Sequence, residues 1–269
     1  MTDSALAHRF DAGWKILHAP GKLALDYFHR RHDLVIEKKG MQDLVSIADQ
    51  AVERAIRGEL TRTFPADAII GEEDGASEDY QAAAGAWVLD PIDGTSNFLR
   101  GMPYWCCVMA YSVNGITEIG LTYDPVHDEL FACRRGEGAT RNGQPIRVSQ
   151  RPVGEVCVGL SFDFKQDGDA YAAMIGRLND MGFDNRRSGS TALHLAHVAD
   201  GRLDACITRD CQSWDVVAGL ALVEVAGGVA SRYTAGATLL ERRPVLATTP
   251  GLLSAVQDAA GFAVDRAGC

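Results

Sequence analysis

Between Trp105 and Val148 the chain alternates apolar stretches with tight-turn signals, and this pattern restricts the fold more than any other. Asn114-Gly115 and Asn142-Gly143 are hairpin dipeptides, because Asn and Gly accept the positive φ that a two-residue turn demands. Asp124-Pro125 turns the chain again between them. The spacing predicts strands over 105–113, 116–123 and 129–134, with a further short one around Ile146 and Val148. Consecutive strands joined by tight turns imply an antiparallel sheet. Gly136-Glu137-Gly138-Ala139 lacks both a Walker lysine and the Rossmann spacing, and reads as a turn.

On the N-terminal side, Leu6, Phe10, Trp14 and Leu17 fall at helical spacing, predicting a helix over 4–31 that Pro20-Gly21 kinks or splits in two. Leu34 to Glu37 is a short strand candidate, and Ile47 to Leu60 carries one apolar face behind a possible Ser46 N-cap. Arg147 to Gly154 marks a boundary, dividing the chain into 1–150 and 151–269. Beyond it the expected order is a strand (156–162), a helix (171–181), a polar turn (185–190), a helix (191–200) closed by Gly201, and a strand (203–208). A strongly apolar helix (216–226), two strands (229–232 and 245–248) and a final helix (251–260) follow. At 269 residues with 46% apolar content, the chain can bury a large core. Net charge −10 argues against a nucleic-acid or anionic-membrane partner. Seven cysteines without Cys-x-x-Cys spacing fit reduced thiols in a cytoplasmic protein better than zinc or a disulfide framework. His194 and His197 lie three apart on one helix without a third ligand, so packing or surface positions suit them.

Carboxylates recur where apolar runs end. Ala86 to Leu89 reads as a buried strand that Pro91 should stop, leaving Asp90 and Asp93 at its end, with Gly94-Thr95-Ser96 opening a turn or helix. Two such carboxylates offer the hard oxygens that Mg²⁺ favours, and the small residues after them offer N–H groups to an anion. A solvated Asp-Pro turn is the alternative. Ala68 to Ile70 is another strand candidate, followed by Gly71-Glu72-Glu73-Asp74-Gly75, which could equally be a solvated charge run. Asp49 in a first helical turn could serve only the helix dipole, and Asp215 could be only an N-cap. Arg186 or Arg187, ahead of a helix start, could meet a phosphate oxygen or remain solvated.

Asp90-Pro91-Ile92-Asp93-Gly94-Thr95-Ser96-Asn97-Phe98 resembles the signature of the inositol monophosphatase family. The other family motifs follow the same order: Lys38 with Asp43-Leu44-Val45-Ser46 and Asp49, Gly71-Glu72-Glu73, and Trp214-Asp215 ahead of Glu224-Val225-Ala226-Gly227-Gly228. Ser46 stands where the family has Thr and keeps the hydroxyl. The resemblance implies an αβαβα sandwich of the sugar phosphatase type, with a largely antiparallel N-terminal sheet and a smaller second sheet. It implies two or three Mg²⁺ ions, one at Glu72, Asp90 and the Ile92 carbonyl, a second at Asp90, Asp93 and Asp215. Glu72 with Thr95 and Asp49 would activate water, and Asp93, Gly94, Thr95, Ser96, Arg187, Thr191, Thr208 and Asp215 would meet the substrate, with Lys38 and Glu73 supporting. Sensitivity to Li⁺ and a homodimer are further implications.

The implied activity is hydrolysis of a small phosphate monoester, an inositol phosphate or a related sugar or polyol phosphate, by metal-activated water without a phosphoenzyme. In inositol-specific members a Glu stands seven residues before the Trp-Asp aspartate, whereas this chain has Thr208 there, beside Arg209 and Asp210. Histidinol phosphate and 3′(2′),5′-bisphosphate nucleotides are therefore alternative substrates. A non-enzymatic sugar-phosphate-binding regulator is an alternative role, though every ligand type is present. A phosphodiesterase or nuclease fits poorly with the acidic balance.

Overall fold

The computed structural model describes residues 1–269 except 34, 35, 41, 42, 79, 81, 163–166, 235–237 and 264–269, and omits the side chains of 33, 36–40, 43–46 and 153. Helix α1 (Asp3–His29) leads to the strand pair β1 (Ile36–Gly40) and β2 (Asp43–Ser46), then α2 (Ile47–Thr63). Strands β3 (Ala68–Gly71), β4 (Gly75–Ala76) and β5 (Ala86–Asp93) precede the short α3 (Thr95–Arg100). The hairpin strands are β6 (Cys106–Val113), β7 (Ile116–Asp124), β8 (Glu129–Arg134), β9 (Gly138–Arg141) and β10 (Gln144–Pro145). The later elements are β11 (Cys157–Ser161), α4 (Gly168–Asp180), β12 (Asp184–Arg186), α5 (Thr191–Ala199), β13 (Ala205–Cys211), α6 (Ser213–Val225), β14 (Val229–Ala230), β15 (Arg243–Thr248) and α7 (Leu253–Ala260).

Strands β3 to β10 form an eight-stranded sheet in the order β10-β9-β8-β7-β6-β5-β3-β4, in which only β3 and β5 run parallel. Asn114 and Asn142 adopt positive φ (50° and 48°), as their hairpin turns require. The second sheet, β12-β11-β13-β15-β14, is parallel across β12, β11 and β13 and antiparallel beyond.

Side-chain alternation along each strand builds the layers. Trp87, Leu89, Cys107, Met109 and Tyr111 pack against Leu17, Phe28, Val52, Ile56 and Leu60 of α1 and α2. Their neighbours Ala86, Val88, Cys106, Val108 and Ala110 face the opposite way, onto α5 and α6. Those two helices also receive Cys206, Val245 and Ala247 of the second sheet. Its far face, with Val158, Leu160, Ala205, Ile207 and Leu246, is covered by Met174 and Leu178 of α4 and Val256 and Ala259 of α7. The stack is thus αβαβα. Helix α6 is buried continuously from Val216 to Val223, because it lies between two sheets and has no solvent side.

Several expectations change. Gly138 and Ala139, read as part of a turn, open β9, and Asn185 and Arg186 of the expected polar turn belong to β12. Of the two outcomes expected at Pro20-Gly21, the split into two helices is not realised: both residues lie inside one helix. A Cβ on Gly21 would stand 2.4 Å from the Tyr123 ring, so glycine lets α1 settle closely on β7. Pro91 does not end its strand: β5 continues to Asp93, with a bulge between Asp90 and Asp93. The bulge is where a residue without an N–H fits a ladder. Ile146 and Val148 lie beyond the last strand of the first sheet, which stops at Pro145, so the strand expected there is only two residues long. Leu34, the start of the first short strand candidate, is outside the described residues.

Candidate active site

The β5 bulge aims two carboxylates out of the sheet end. Asp90 Oδ1 accepts from the Ile92 N–H (2.9 Å), bridging Pro91 and setting the Asp90 rotamer. Asp93 follows, and Asp215 approaches from the other half of the chain. Asp215 is not the N-cap of α6. It is the third helical residue, its Oδ2 accepting from the N–H of Gln212, the cap (3.1 Å). Ligand oxygens of Asp90, Asp93 and Asp215 all lie within 4.8 Å of one another.

Asp49, buried in the first turn of α2, accepts from Thr95 Oγ1 (3.3 Å), and the same hydroxyl lies 3.0 Å from the Ile92 carbonyl. Glu72 stands half-buried in the turn after β3, within electrostatic reach of Asp90. That turn is held by Glu53, which is fully buried and accepts from Arg57 Nε (2.7 Å) and from the N–H groups of Glu73 (2.9 Å) and Asp74 (3.0 Å). Sequence reasoning missed Glu53. Its signal was the four-residue spacing from Asp49, which puts both on the buried stripe of α2.

Burial drives the Asp90 carboxyl well above the usual carboxylate range, and the negative charges of Glu72, Asp93, Asp215 and Asp49 push it further. Burial also raises Asp93, to about 6, against the opposing hydrogen bonds from Ser190 and the Ala192 N–H. The Cys106 and Cys107 thiols are pushed far up by burial, so neither is a thiolate nucleophile. A crowd of buried carboxylates facing one another, all hard oxygen donors, is a donor set that fits a divalent cation such as Mg²⁺.

Gly94 takes φ +99° at the start of α3, a conformation that calls for glycine, and a Cβ there would also stand a tight 3.1 Å from the Tyr104 carbonyl. Ser96 is partly exposed on the same helix. Thr191, at the start of α5, pairs its hydroxyl with Ser161 Oγ (2.8 Å). Arg187 is exposed, its guanidinium 5.5 Å from the Phe162 ring centroid and 3.4 Å from that residue's carbonyl. Thr208 differs from expectation: it is only 1% exposed, and its hydroxyl donates to the Asp210 carbonyl (3.2 Å). Its proton is therefore spent inside the chain rather than held for a substrate. Lys38 belongs to β1, but its side chain is outside the described residues. His194 and His197 are packing residues on α5, kept neutral by burial that lowers them to about 3 and about 4.

The cysteines among the described residues are free thiols, and Cys269 lies outside them. Among the described residues no helix is long and apolar enough to cross a membrane.

Similarity to known proteins agrees with this architecture. Nus factor SuhB of Pasteurella multocida is 36% identical over 239 residues, covering 88% of this chain and 89% of that protein. The protein of the same name in Escherichia coli K12 is 36% identical over 226 residues, covering 81% and 83%. The inositol monophosphatase of Anabaena superposes with a TM-score of 0.81 at 32% identity, over 95% of this chain and 96% of that one. The extragenic suppressor protein suhB of Bartonella henselae superposes with a TM-score of 0.86 at 27% identity, over 93% and 97%. The inositol monophosphatase family model matches residues 9–260, and with relatives this similar over most of its length the chain belongs to the inositol monophosphatase family.

Proposed function

We propose that this protein is a Mg²⁺-dependent phosphatase acting on a small phosphate monoester, an inositol phosphate or a related sugar or polyol phosphate. One observation carries the reading: Asp90, Asp93 and Asp215, brought from two halves of the chain, crowd within 4.8 Å of one another. On this reading Glu72, Asp90, Asp93, Asp215 and the Ile92 carbonyl hold the ions. Bound divalent cations supply charge neutralisation at the phosphoryl oxygens and acidify a water.

The chain's own groups do the rest. Thr95 Oγ1, by donating to Asp49, can accept a hydrogen bond from the attacking water and hand its own proton to the Asp49 carboxylate as it takes the water's. Glu72 is the second base facing that position. The N–H groups of Gly94, Thr95 and Ser96 receive the phosphate oxygens. Residues 1–150 supply most of these groups, while 151–269 supply Asp215 and the side facing the leaving alcohol, with Arg187 and Thr191 at its edge and Thr208 shaping its floor. No side chain is called on as a phosphoryl acceptor. Inhibition by Li⁺, a homodimer and a cytoplasmic setting belong to the same reading.

The test is phosphate release from a panel of monoesters, including inositol 1-phosphate, histidinol phosphate and 3′-phosphoadenosine 5′-phosphate, with Mg²⁺ and with chelator. Chelator-sensitive turnover of one ester well above the others supports the reading. No turnover of any ester, p-nitrophenyl phosphate included, defeats it. The name of the relatives, Nus factor, supports a second reading in which this chain also takes part in transcription, and that role would survive Asp90→Asn.

A further inference from the structure

The two halves meet along a polar seam that borders the acidic cluster without entering it. Asn97, on α3, is 7% exposed, and its Nδ2 donates to the carbonyls of Tyr104 and Ser188, both at 2.7 Å. The first partner belongs to its own half and the second to the turn ahead of α5. Gly189 has φ +91°, and a Cβ on it would stand 2.8 Å from Asn97 Nδ2, so the turn is pressed directly onto the amide.

The next residue converts this seam into control of a carboxylate. Ser190 is the N-cap of α5, its Oγ accepting from the Leu193 N–H (3.2 Å). The same hydroxyl donates to Asp93 Oδ2 (2.5 Å), and the Ala192 N–H donates to that oxygen as well (2.7 Å). Asp93 is thus gripped by the start of a helix whose own position depends on residues 188–190. The path from Asn97 to Asp93 crosses between the halves and returns.

The geometry points to Asn97 as a positioning residue for cation binding: its two donated hydrogen bonds fix the 188–190 turn, the turn fixes the start of α5, and that start orients Asp93 toward Asp90 and Asp215. Asn97 touches neither cation nor phosphate in this scheme. The inference rests on the cation-site reading proposed above.

Calorimetric titration with Mg²⁺ and Mn²⁺ alone separates the two. If the wild-type protein takes up neither ion, the cation-site reading fails and the inference falls with it. If the wild type binds, Asn97→Ala should weaken binding about 10–100-fold, the range for groups that support ligand residues. Ser190→Ala should weaken it similarly, and the double variant no more than the weaker single one, because both break one path. At saturating cation, kcat should recover toward wild type, which a general loss of folding would not allow. Wild-type binding with Asn97→Ala unchanged within about twofold, or losses that multiply in the double variant, overturns the inference alone. Should Asn97→Ala fail to fold, Gly189→Ala breaks the same seam, and unchanged affinity there is equally decisive.

Discussion

Two bulged strand ends, one on β5 and one on β13, behave in opposite ways. On β5 the bulge between Asp90 and Asp93 gathers carboxylates that repel one another. On β13 the irregularity between Thr208 and Cys211 ties its polar groups into the protein itself. Thr208 donates to the Asp210 carbonyl, Asp210 pairs with Arg242 (2.7 Å), Arg209 donates to the Ala260 carbonyl (2.8 Å), and Cys211 Sγ meets the Arg243 carbonyl (3.1 Å). The first end gathers like charges that a bound cation would relieve, whereas the polar groups of the second are satisfied within the protein. On the function proposed above, a cation site and a selectivity surface would differ in what they leave unbalanced.

The sharpest break of this comparison is Asp90→Asn. Removing one shared ligand should cost several kcal/mol of transition-state stabilisation, about a thousandfold or more in Mg²⁺-dependent phosphate release. At a pH high enough to ionise Asp90, the same change removes a charge from a crowd, so the cation-free protein should there melt at a higher temperature than wild type. Near-normal turnover, or a lower cation-free Tm, would contradict the assignment of stress to the β5 end.

Arg242→Ala tests the other end. Its pair with Asp210 is about one-third exposed on both sides, so stability should change by no more than about 1 kcal/mol. Selectivity among phosphate esters should move by up to about tenfold in kcat/KM, while p-nitrophenyl phosphate turnover and Mg²⁺ affinity stay constant. A fall in Mg²⁺ affinity in this variant would erase the distinction between the two ends.

The smallest effect is in pH. Asp93 in the fold titrates at about 6, above its unfolded range, so its contribution to stability is complete near pH 4 and is lost as pH rises through about 6. Asp90 is displaced in the same direction. With chelator present, these two groups should lower Tm by a few degrees across that window, and saturating Mg²⁺ should flatten the slope. An equal slope with and without Mg²⁺ would mean that the cation does not relieve the crowd.

Much of this was legible in residue order. The Asn-Gly turns announced the antiparallel sheet, because few dipeptides accept two positive φ values. Asp90, Asp93 and Asp215 were legible as motif residues, but only the fold shows that they meet. Glu53 was legible only as a second acid on the buried stripe of α2, and Ser190 not at all: each fills the hydrogen-bonding needs of a distant turn or carboxylate, and nothing local marks the partner. The passage of α1 through Pro20-Gly21 was hidden for the same reason, since the Tyr123 ring that makes Gly21 useful lies a hundred residues on. At Thr208 the motif tells which group is missing, not that its replacement turns onto the Asp210 carbonyl.

The layered order of α5 and α6 has a consequence during synthesis. Among the described residues one face of the first sheet is covered mainly by these helices, and between the end of β9 at Arg141 and the end of α6 at Val225 lie 84 residues. At about 5–20 residues per second, a ribosome needs about 4–17 s to deliver that cover. For that interval the nascent chain carries a bare apolar sheet face, and a chaperone binding near the exit tunnel would find its target there.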